Sequence, residues 1–277
     1  MHQFHSRPLA ALVSLAAISS LGACAQLGLG GGAGGASRAD TQYVASDVNT
    51  LYNAGKQKLD SRQYVVAAAL FDEVERQHPY SVWARRAQLM SAYSYYLAKD
   101  YTKSTDSARR FLAIHPGNKD APYALYLVAL NHYERIEDVN RDQSITKQAL
   151  DALGEVVRRH PDTRYAADAR LKVDLVRDHL AGKEMEIGRF YQRRSEWLAS
   201  VMRFRNVIDE YQTTTHTPEA LMRLTESYLA LGVTEEARKS AAVLGANYPG
   251  TKWYERAYEL VNRHAPTQTA AATPATS

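Results

Sequence analysis

The only cysteine of the 277-residue chain, Cys24, is the residue whose chemistry is easiest to predict. It follows Leu21-Gly22-Ala23, so a thiol stands directly after two small side chains. The segment from Leu9 to Leu21 carries no charged residue, and Arg7 lies just before it. A positive start, a short apolar stretch and small residues at the cleaved bond define a secretory signal peptide. The pattern predicts removal of residues 1–23.

The sequence around Cys24 also resembles a bacterial lipobox. The resemblance implies that diacylglycerol is joined to the Cys24 thiol and that the new amine is acylated after cleavage. Two or three acyl chains hold a protein stably at a membrane, whereas one is marginal. An Asp after the cysteine is the usual inner-membrane retention signal, and Ala25 stands there instead. The resemblance therefore implies a lipid anchor in the periplasmic face of the outer membrane. The alternative is an ordinary signal peptide with an incidental cysteine.

Composition argues against several other classes of protein. A formal net charge of +4 is too small and too scattered to indicate a nucleic-acid-binding protein. Outside the signal peptide, no uncharged run approaches the roughly 18 residues that a transmembrane helix needs. A single cysteine cannot form a disulfide within the chain, so stability must come from packing. Apart from the acyl chains expected on Cys24, we expect no cofactor.

Two patterns look like metal sites and are better explained otherwise. Histidine precedes proline at His78, His115 and His160, and these copies are too far apart in a repeat array to share one ion. A histidine at a helix C-terminus interacts favourably with the helix dipole. Asp138 begins a calcium-loop-like spacing, but the loop lacks the glycine and glutamate that such a site needs. No catalytic motif is present, so the sequence predicts neither a metal site nor an enzyme.

The rest of the chain divides into segments of different composition. Residues 24–42 are glycine-rich after the cysteine and predict a flexible tether. Residues 265–277 consist mainly of Ala, Thr and Pro and predict a disordered tail. Between them, apolar residues recur at steps of three and four, which is typical of helices. Two-residue alternation is not sustained anywhere in this part, so a sheet is not expected.

The helical part repeats. Small, aromatic and proline residues recur at similar offsets, and the pattern resembles the tetratricopeptide repeat of about 34 residues. We therefore predict an all-α protein, an α-solenoid of about five helix-turn-helix repeats. Small residues should let paired helices approach closely, and prolines should end the second helices. Tyr64, Tyr101 and Trp197 should close the turns between paired helices, and Phe71 and Phe204 should fill the gap to the next helix. The clearest copies are Gly55, Tyr64, Ala67, Phe71 and Pro79; Ala92, Tyr101, Ser104, Ala108 and Pro116; and Gly188, Trp197, Ser200 and Phe204.

Uneven spacing between the repeats predicts two insertions. One is a polar loop near Glu137–Ser144, within the third repeat. The other follows Pro161, where residues 164–193 contain no proline and predict one long helix or two nearly collinear ones. This helix should join repeats 1–3, in residues 43–163, to repeats 4 and 5 and a final capping helix, in residues 164–264.

Tyrosines are concentrated in the second and third repeats. Most should lie in the core, but repeat arrays of this kind also hold extended peptides against their first helices. Tyrosine combines a large apolar ring with a polar tip, which suits that task. We predict that Tyr93, Tyr96, Tyr126 and Asn131 face such a peptide groove.

These features together resemble one family. The repeats behind a lipobox, Tyr93-Ser94-Tyr95-Tyr96, the insertion Arg141-Asp142-Gln143-Ser144 and the stretch from Tyr191 to Trp197 are similar to the BamD (ComL) family of outer-membrane assembly lipoproteins. The resemblance implies an accessory subunit of the β-barrel assembly machinery. Its C-terminal repeats would bind the barrel subunit BamA beside other lipoproteins of the machinery. Its N-terminal repeats would meet the targeting strand of unfolded outer-membrane proteins.

The resemblance also implies two interface residues. In the family, an arginine a few residues after the tryptophan of the fourth repeat lies at the contact with the barrel subunit. Here that arginine is Arg203, and Arg194 is a second candidate. An alternative function is a lipid-anchored repeat scaffold for pilus biogenesis or cell-wall synthesis, which would share the lipobox and the repeats. The insertion and the long helix favour the assembly family.

Overall fold

The computed structural model describes residues 47–139 and 141–264, which form eleven α-helices and no strand. The predicted all-α class is therefore confirmed. The signal peptide, Cys24, the glycine-rich tether and the tail from residue 265 lie outside the described residues. Within these ranges, none of the helices offers an apolar stretch long enough to cross a bilayer.

Ten helices form five successive pairs, and the last helix caps the final pair. The first helices of the pairs are α1 (Val48–Asp60), α3 (Val82–Leu97), α5 (Ala121–Tyr133), α7 (Arg164–Arg193) and α9 (Thr217–Ala230). The second helices are α2 (Tyr64–Gln77), α4 (Tyr101–Ile114), α6 (Ser144–Arg159), α8 (Trp197–Glu210) and α10 (Thr234–Asn247), and the capping helix is α11 (Lys252–His264).

The helix ends follow from the local sequence. Asp100 begins α4 by accepting a hydrogen bond from the Lys103 backbone N–H at 3.1 Å, which satisfies one of the free donors of the first turn. His78, His115 and His160 are the C-cap residues of α2, α4 and α6, directly before the prolines. The prolines therefore end the second helices as predicted, because proline cannot continue a helix.

Close helix contact depends on glycine where an aromatic ring crosses. A Cβ atom added to Gly55 of α1 would lie 2.8 Å from the Phe71 ring of α2, closer than side-chain carbons normally approach. Gly188 of α7 meets Phe204 of α8 in the same way. Both phenyl rings are fully buried. The aromatic positions of the repeat therefore fill the space that the small positions leave.

The two predicted insertions take different forms. The first is a loop between α5 and α6, in which the Gln143 side-chain amide donates to the backbone carbonyl of Arg141 at 3.0 Å. It also donates weakly to those of Asp138 and Val139. The second is α7, a single helix of 30 residues. Consecutive first helices from α1 to α7 contact one another, so they form one continuous layer of the array.

Candidate functional site

A row of tyrosines lies on the layer of first helices. The Tyr93 ring of α3 lies 6.5 Å from that of Tyr123 on α5, and the Tyr123 ring lies 5.4 Å from that of Tyr165 on α7. Tyr126 on α5 also contacts Tyr165 at 5.4 Å. Ring-to-ring contacts at these distances stabilise one another beyond simple burial. The row thus ties three successive repeats together and forms a largely apolar surface.

The hydroxyl groups of this row are held by acidic residues. Tyr96 donates a hydrogen bond to Glu134 at 3.3 Å, and Tyr126 donates to Asp168. Burial, together with the neighbouring Glu134 carboxylate, raises the pKa of Tyr96 to about 12. Burial and the hydrogen bond to Asp168 also raise the pKa of Tyr126. Both tyrosines therefore remain neutral and act as apolar rings with a fixed orientation.

The structure places three of the four predicted groove residues on this surface and contradicts the fourth. Tyr93, Tyr96 and Tyr126 are half-buried members of the tyrosine row. Asn131 does not face a groove, because only 1% of it is exposed. Its side-chain nitrogen donates to Ser104 at 2.9 Å and to Thr105 at 3.0 Å, both on α4. Asn131 therefore joins a first helix to a second helix, and the prediction for it is wrong.

A groove beside the tyrosine row was not foreseen from the sequence. It encloses about 660 Å³ and lies between α1, α3 and the turn before α5. Its apolar wall includes Tyr52, Leu89 and Met90. On α3, Met90 and Tyr93 are three residues apart, so they lie on neighbouring parts of one helix face. The groove and the tyrosine row can therefore contact the same extended ligand.

Three cations line this groove without a carboxylate partner among the described residues: Arg85, Arg86 and Lys119. The Arg86 guanidinium lies 5.4 Å from the centre of the Trp83 ring, which holds it at the groove wall. Asp120 is the one acidic residue in the lining, so the groove keeps an excess of two positive charges. The sequence did contain a signal for this cationic groove, because α3 contains two arginines and no acidic residue.

The two arginines predicted from the family lie at the α7–α8 end of the array. Arg203 on α8 pairs with Glu184 of α7 at 3.2 Å and lines a groove with Tyr191 and Met202. Arg194, in the turn, lies 5.4 Å from the Phe190 ring. Phe190, beside Arg194, and Met202, beside Arg203, are exposed apolar side chains. Each arginine therefore lies beside an exposed apolar side chain at the α7–α8 end.

The first helices of repeats 4 and 5 are joined by a network of ion pairs centred on Glu219. Glu219 on α9 pairs with Arg189 of α7 at 3.1 Å and with Arg223 at 2.6 Å. Arg223 donates further to Gln192 at 2.7 Å. Burial alone would raise the pKa of Glu219, but the hydrogen bonds and charges of Arg223 and Arg189 outweigh it and lower that pKa. Within the described ranges, no cluster of His, Cys, Asp and Glu could hold a metal ion.

Comparison with known proteins decides the family. The family model described as YfiO, outer membrane lipoprotein, matches residues 44–244. A relative from Caulobacter vibrioides, named outer membrane protein assembly factor BamD, is 47% identical over 259 residues, covering 94% of this chain and 82% of the relative. The chain belongs to the BamD family. The Rickettsia prowazekii BamD is also 47% identical, over 228 residues that cover 82% of this chain and 91% of that one.

The matched range of the BamD family runs from before α1 into α10, so it includes every residue of the sites described above. The chain is also similar to the crystal structure of a thermophilic TPR protein of Thermus thermophilus. That likeness has 19% sequence identity and a TM-score of 0.35, and covers 78% of this chain and 99% of the other.

Proposed function

We propose that this BamD-family chain is a lipid-anchored scaffold subunit for outer-membrane protein assembly. It binds the C-terminal targeting strand of unfolded outer-membrane proteins on its N-terminal first helices. It binds the barrel subunit BamA at the α7–α8 end. The activity is binding rather than catalysis, and diacylglycerol with an N-acyl chain on Cys24 keeps the protein at the periplasmic face of the outer membrane, together with other lipoproteins of the machinery.

The observation that carries the client-binding proposal is the groove with unpaired cations. A targeting strand that ends a chain presents a free carboxylate next to its last side chains. Arginine binds carboxylates through paired, charge-assisted hydrogen bonds, which are stronger than neutral ones. Arg85 and Arg86 supply such donors, and Tyr52, Leu89 and Met90 supply an apolar wall for the last side chain. The tyrosine row would support the residues that precede it.

Peptide binding tests this proposal. A fluorescent peptide with the last ten or so residues of a β-barrel client is titrated with the full chain, and fluorescence anisotropy gives the Kd. We expect the double variant Arg85→Glu/Arg86→Glu to weaken binding about tenfold or more, because a lost charge-assisted hydrogen bond is worth about 1.5–3 kcal/mol.

The matched control is Arg158→Glu/Arg159→Glu, an adjacent and exposed arginine pair on the second helix α6. This control makes the same change in net charge and should alter the Kd less than twofold. Equal weakening by both pairs would show that only overall charge attracts the peptide, and would contradict the groove.

The barrel-subunit contact is supported by the apolar surface around Arg203. Its guanidinium is held by Glu184 at 3.2 Å and can offer its remaining donors to a carboxylate of the partner. We expect Arg203→Glu to reduce co-purification with BamA while leaving the thermal unfolding curve unchanged. Arg205→Glu is the control, because Arg205 is an exposed arginine on the same helix. Unchanged recovery with Arg203→Glu would remove this residue from the contact.

The anchor has its own test. Cys24→Ala removes the thiol that acylation needs, so we expect the protein to move from the membrane fraction to the soluble periplasmic fraction. A Cys24→Ala protein that still sediments with the outer membrane would contradict the lipid anchor.

A further inference from the structure

The turns that follow the second helices are apolar in the first two repeats. Tyr80, in the turn after α2, is 101% exposed. Val82 at the start of α3 is 64% exposed, and Ile114 at the end of α4 is 57% exposed. In the part of the chain that the structure describes, the turns after α6, α8 and α10 and the helix residues next to them carry no large, exposed apolar side chain.

These three side chains lie close together, and we call Tyr80, Val82 and Ile114 the apolar edge. Tyr80 and Ile114 line one groove of about 460 Å³, to which Arg85 also belongs. Arg85 and Val82 both line the cationic groove described above. Exposed apolar side chains that adjoin one another mark an interaction site more often than isolated ones do.

The charges beside the apolar edge leave a small excess of cations. Two acidic residues at the end of α2 are already paired, Glu75 with Arg110 at 3.5 Å and Glu73 with Arg76. The other charges near the edge are three cations and two carboxylates, namely Arg85, Arg86, Lys119, Asp120 and, at the start of α1, Asp47. The apolar edge is therefore bordered by arginine and lysine without being strongly charged.

The predicted lipid anchor joins the repeats at the same edge. Because α1 and α2 are antiparallel, the start of α1 lies beside the turn that carries Tyr80, and Val48 and Trp83 pack on one buried cluster. Cys24 precedes Asp47 by 23 residues. A flexible chain of that length has a root-mean-square reach of about 24–29 Å. The opposite edge lies further away by the length of α1, about 20 Å at 1.5 Å per residue.

We infer that the apolar edge rests on the phospholipid surface of the membrane that holds the anchor. Tyr80 lies among the headgroups, where tyrosine is enriched because its ring is apolar and its tip polar. Val82 and Ile114 enter the boundary of the acyl chains, and Arg85 and Lys119 meet lipid phosphates. The inference rests on the lipid anchor of the proposed function, and it adds that the cationic groove opens next to the bilayer.

The anchor also explains how so small an edge can bind. Three apolar side chains hold a free protein only weakly at a bilayer, because such binding scales with the apolar area that is buried. A flexible linker makes the second contact intramolecular, with an effective concentration in the millimolar range. The bilayer is thus the surface that the tether keeps within reach of the apolar edge.

Coupling to vesicles tests the inference without relying on acylation in cells. The chain from Cys24 onward is joined through its only thiol to a maleimide lipid, in vesicles of about three parts phosphatidylethanolamine to one part phosphatidylglycerol. A photoreactive phenylalanine derivative replaces Tyr80, and a second protein carries it at Val65, which is 64% exposed at the other end of α2. We expect position 80 to label lipid at least fivefold more than position 65. Equal labelling would overturn the inference.

A pair of charged variants tests the aliphatic side chains. Val82→Asp/Ile114→Asp, added to the position-80 protein, should lower lipid labelling at least fivefold, because a carboxylate is costly to bury at the bilayer boundary. Val65→Asp/Val66→Asp makes the same change at the opposite edge and should lower it less than twofold. All four side chains are exposed, and circular-dichroism melts verify that each protein is folded. Equal losses with both pairs would show that net charge alone governs labelling, and would overturn the inference.

The same photoreactive residue at position 80 separates a lipid from a protein partner in cells. We expect phospholipid to be the main adduct, and a protein as the main adduct would overturn the inference. Failure of the anchor gives a different result. A Cys24→Ala protein that stays on the outer membrane contradicts the anchor, whereas equal labelling of coupled vesicles at positions 80 and 65 contradicts the apolar edge.

Discussion

The first helices of the N-terminal repeats and those of the C-terminal repeats differ in how their charges are used. Around α3, the cations Arg85, Arg86 and Lys119 line a groove and have no carboxylate partner in the described part of the chain. Between α7 and α9, Arg189 and Arg223 are both bound to Glu219. The cations at the groove beside α3 are therefore open to an anionic ligand, whereas the two arginines between α7 and α9 are satisfied within the protein.

Paired and unpaired arginines contribute differently to folding. A half-buried arginine with a fixed carboxylate stabilises the contact between two helices, and removing its partner is costly. An arginine at a groove without such a partner adds little to folding and remains available to a ligand. In the function proposed above, the C-terminal repeats would hold a fixed shape for the barrel subunit while the N-terminal repeats bind clients.

The largest expected effect is at the network centred on Glu219. Glu219→Gln leaves Arg189 and Arg223 without their shared carboxylate, and Glu219 has a side chain only 16% exposed. We expect the free energy of unfolding to fall by about 3 kcal/mol, as for other partly buried ion pairs that lose one partner. Urea denaturation measures this loss. Glu235→Gln breaks an exposed pair on α10 and should cost about 0.5 kcal/mol or less.

The same network predicts how stability changes with pH. The pKa of Glu219 in the folded chain lies below its ordinary value of 4.5, so its contribution is fully present above pH 4.5. The contribution is lost as the pH falls through the lowered pKa. The stability difference between wild type and Glu219→Gln should therefore be constant from pH 7 to about pH 5 and shrink in more acidic buffer. A difference that stays the same down to pH 3 would argue against the network.

A smaller effect is expected in the tyrosine row. Tyr126→Phe keeps the ring contacts and removes only the hydrogen bond to Asp168, which still has Lys172 at 2.8 Å. We expect a loss of about 1 kcal/mol in thermal or urea unfolding. A loss above about 3 kcal/mol would mean that the row mainly supports the fold, and that the open surface is less available to a client than we propose.

The smallest effect on stability is expected at the open groove. Replacing Arg85 and Arg86 with glutamine removes two cations that have no carboxylate partner among the described residues. We expect the free energy of unfolding to fall by no more than about 1 kcal/mol, because the contact of Arg86 with the Trp83 ring is the one specific contact that the pair makes within the described ranges. A loss as large as that of Glu219→Gln would erase the contrast between the two ends of the array.

The sequence was sufficient for the repeats because their signals are local. Tyr64, Tyr101 and Trp197, which were predicted to close the turns between paired helices, are the first residues of α2, α4 and α8, and residues 164–193 form one helix. Proline acts within a few residues of its own position, and the contacts Gly55–Phe71 and Gly188–Phe204 join the two helices of one repeat at the same separation in sequence, so spacing along the chain reveals both. The tether, the tail and Cys24 remain predictions.

The errors and omissions concern contacts between distant residues. Asn131 was predicted to face a groove, but the hydroxyl groups of Ser104 and Thr105 hold it between α5 and α4. A polar residue on a first helix can face either the groove or the neighbouring second helix. Which of the two it faces depends on the hydrogen-bond partners that the second helix offers. The cationic groove was missed for a similar reason, because Tyr52, Arg85 and Lys119 come from three separate elements.

The most direct test of this account is to locate where the end of a client strand binds. A client peptide with a free carboxyl terminus carries a photoreactive group on its last residue and is cross-linked to the full chain, and mass spectrometry identifies the modified residues. We expect modification in α1 and α3, near Tyr52, Leu89 and Met90, with loss of the cross-link when the terminal carboxylate is amidated. Modification mainly on α7 to α9, or equal yields with the amidated peptide, would contradict the account.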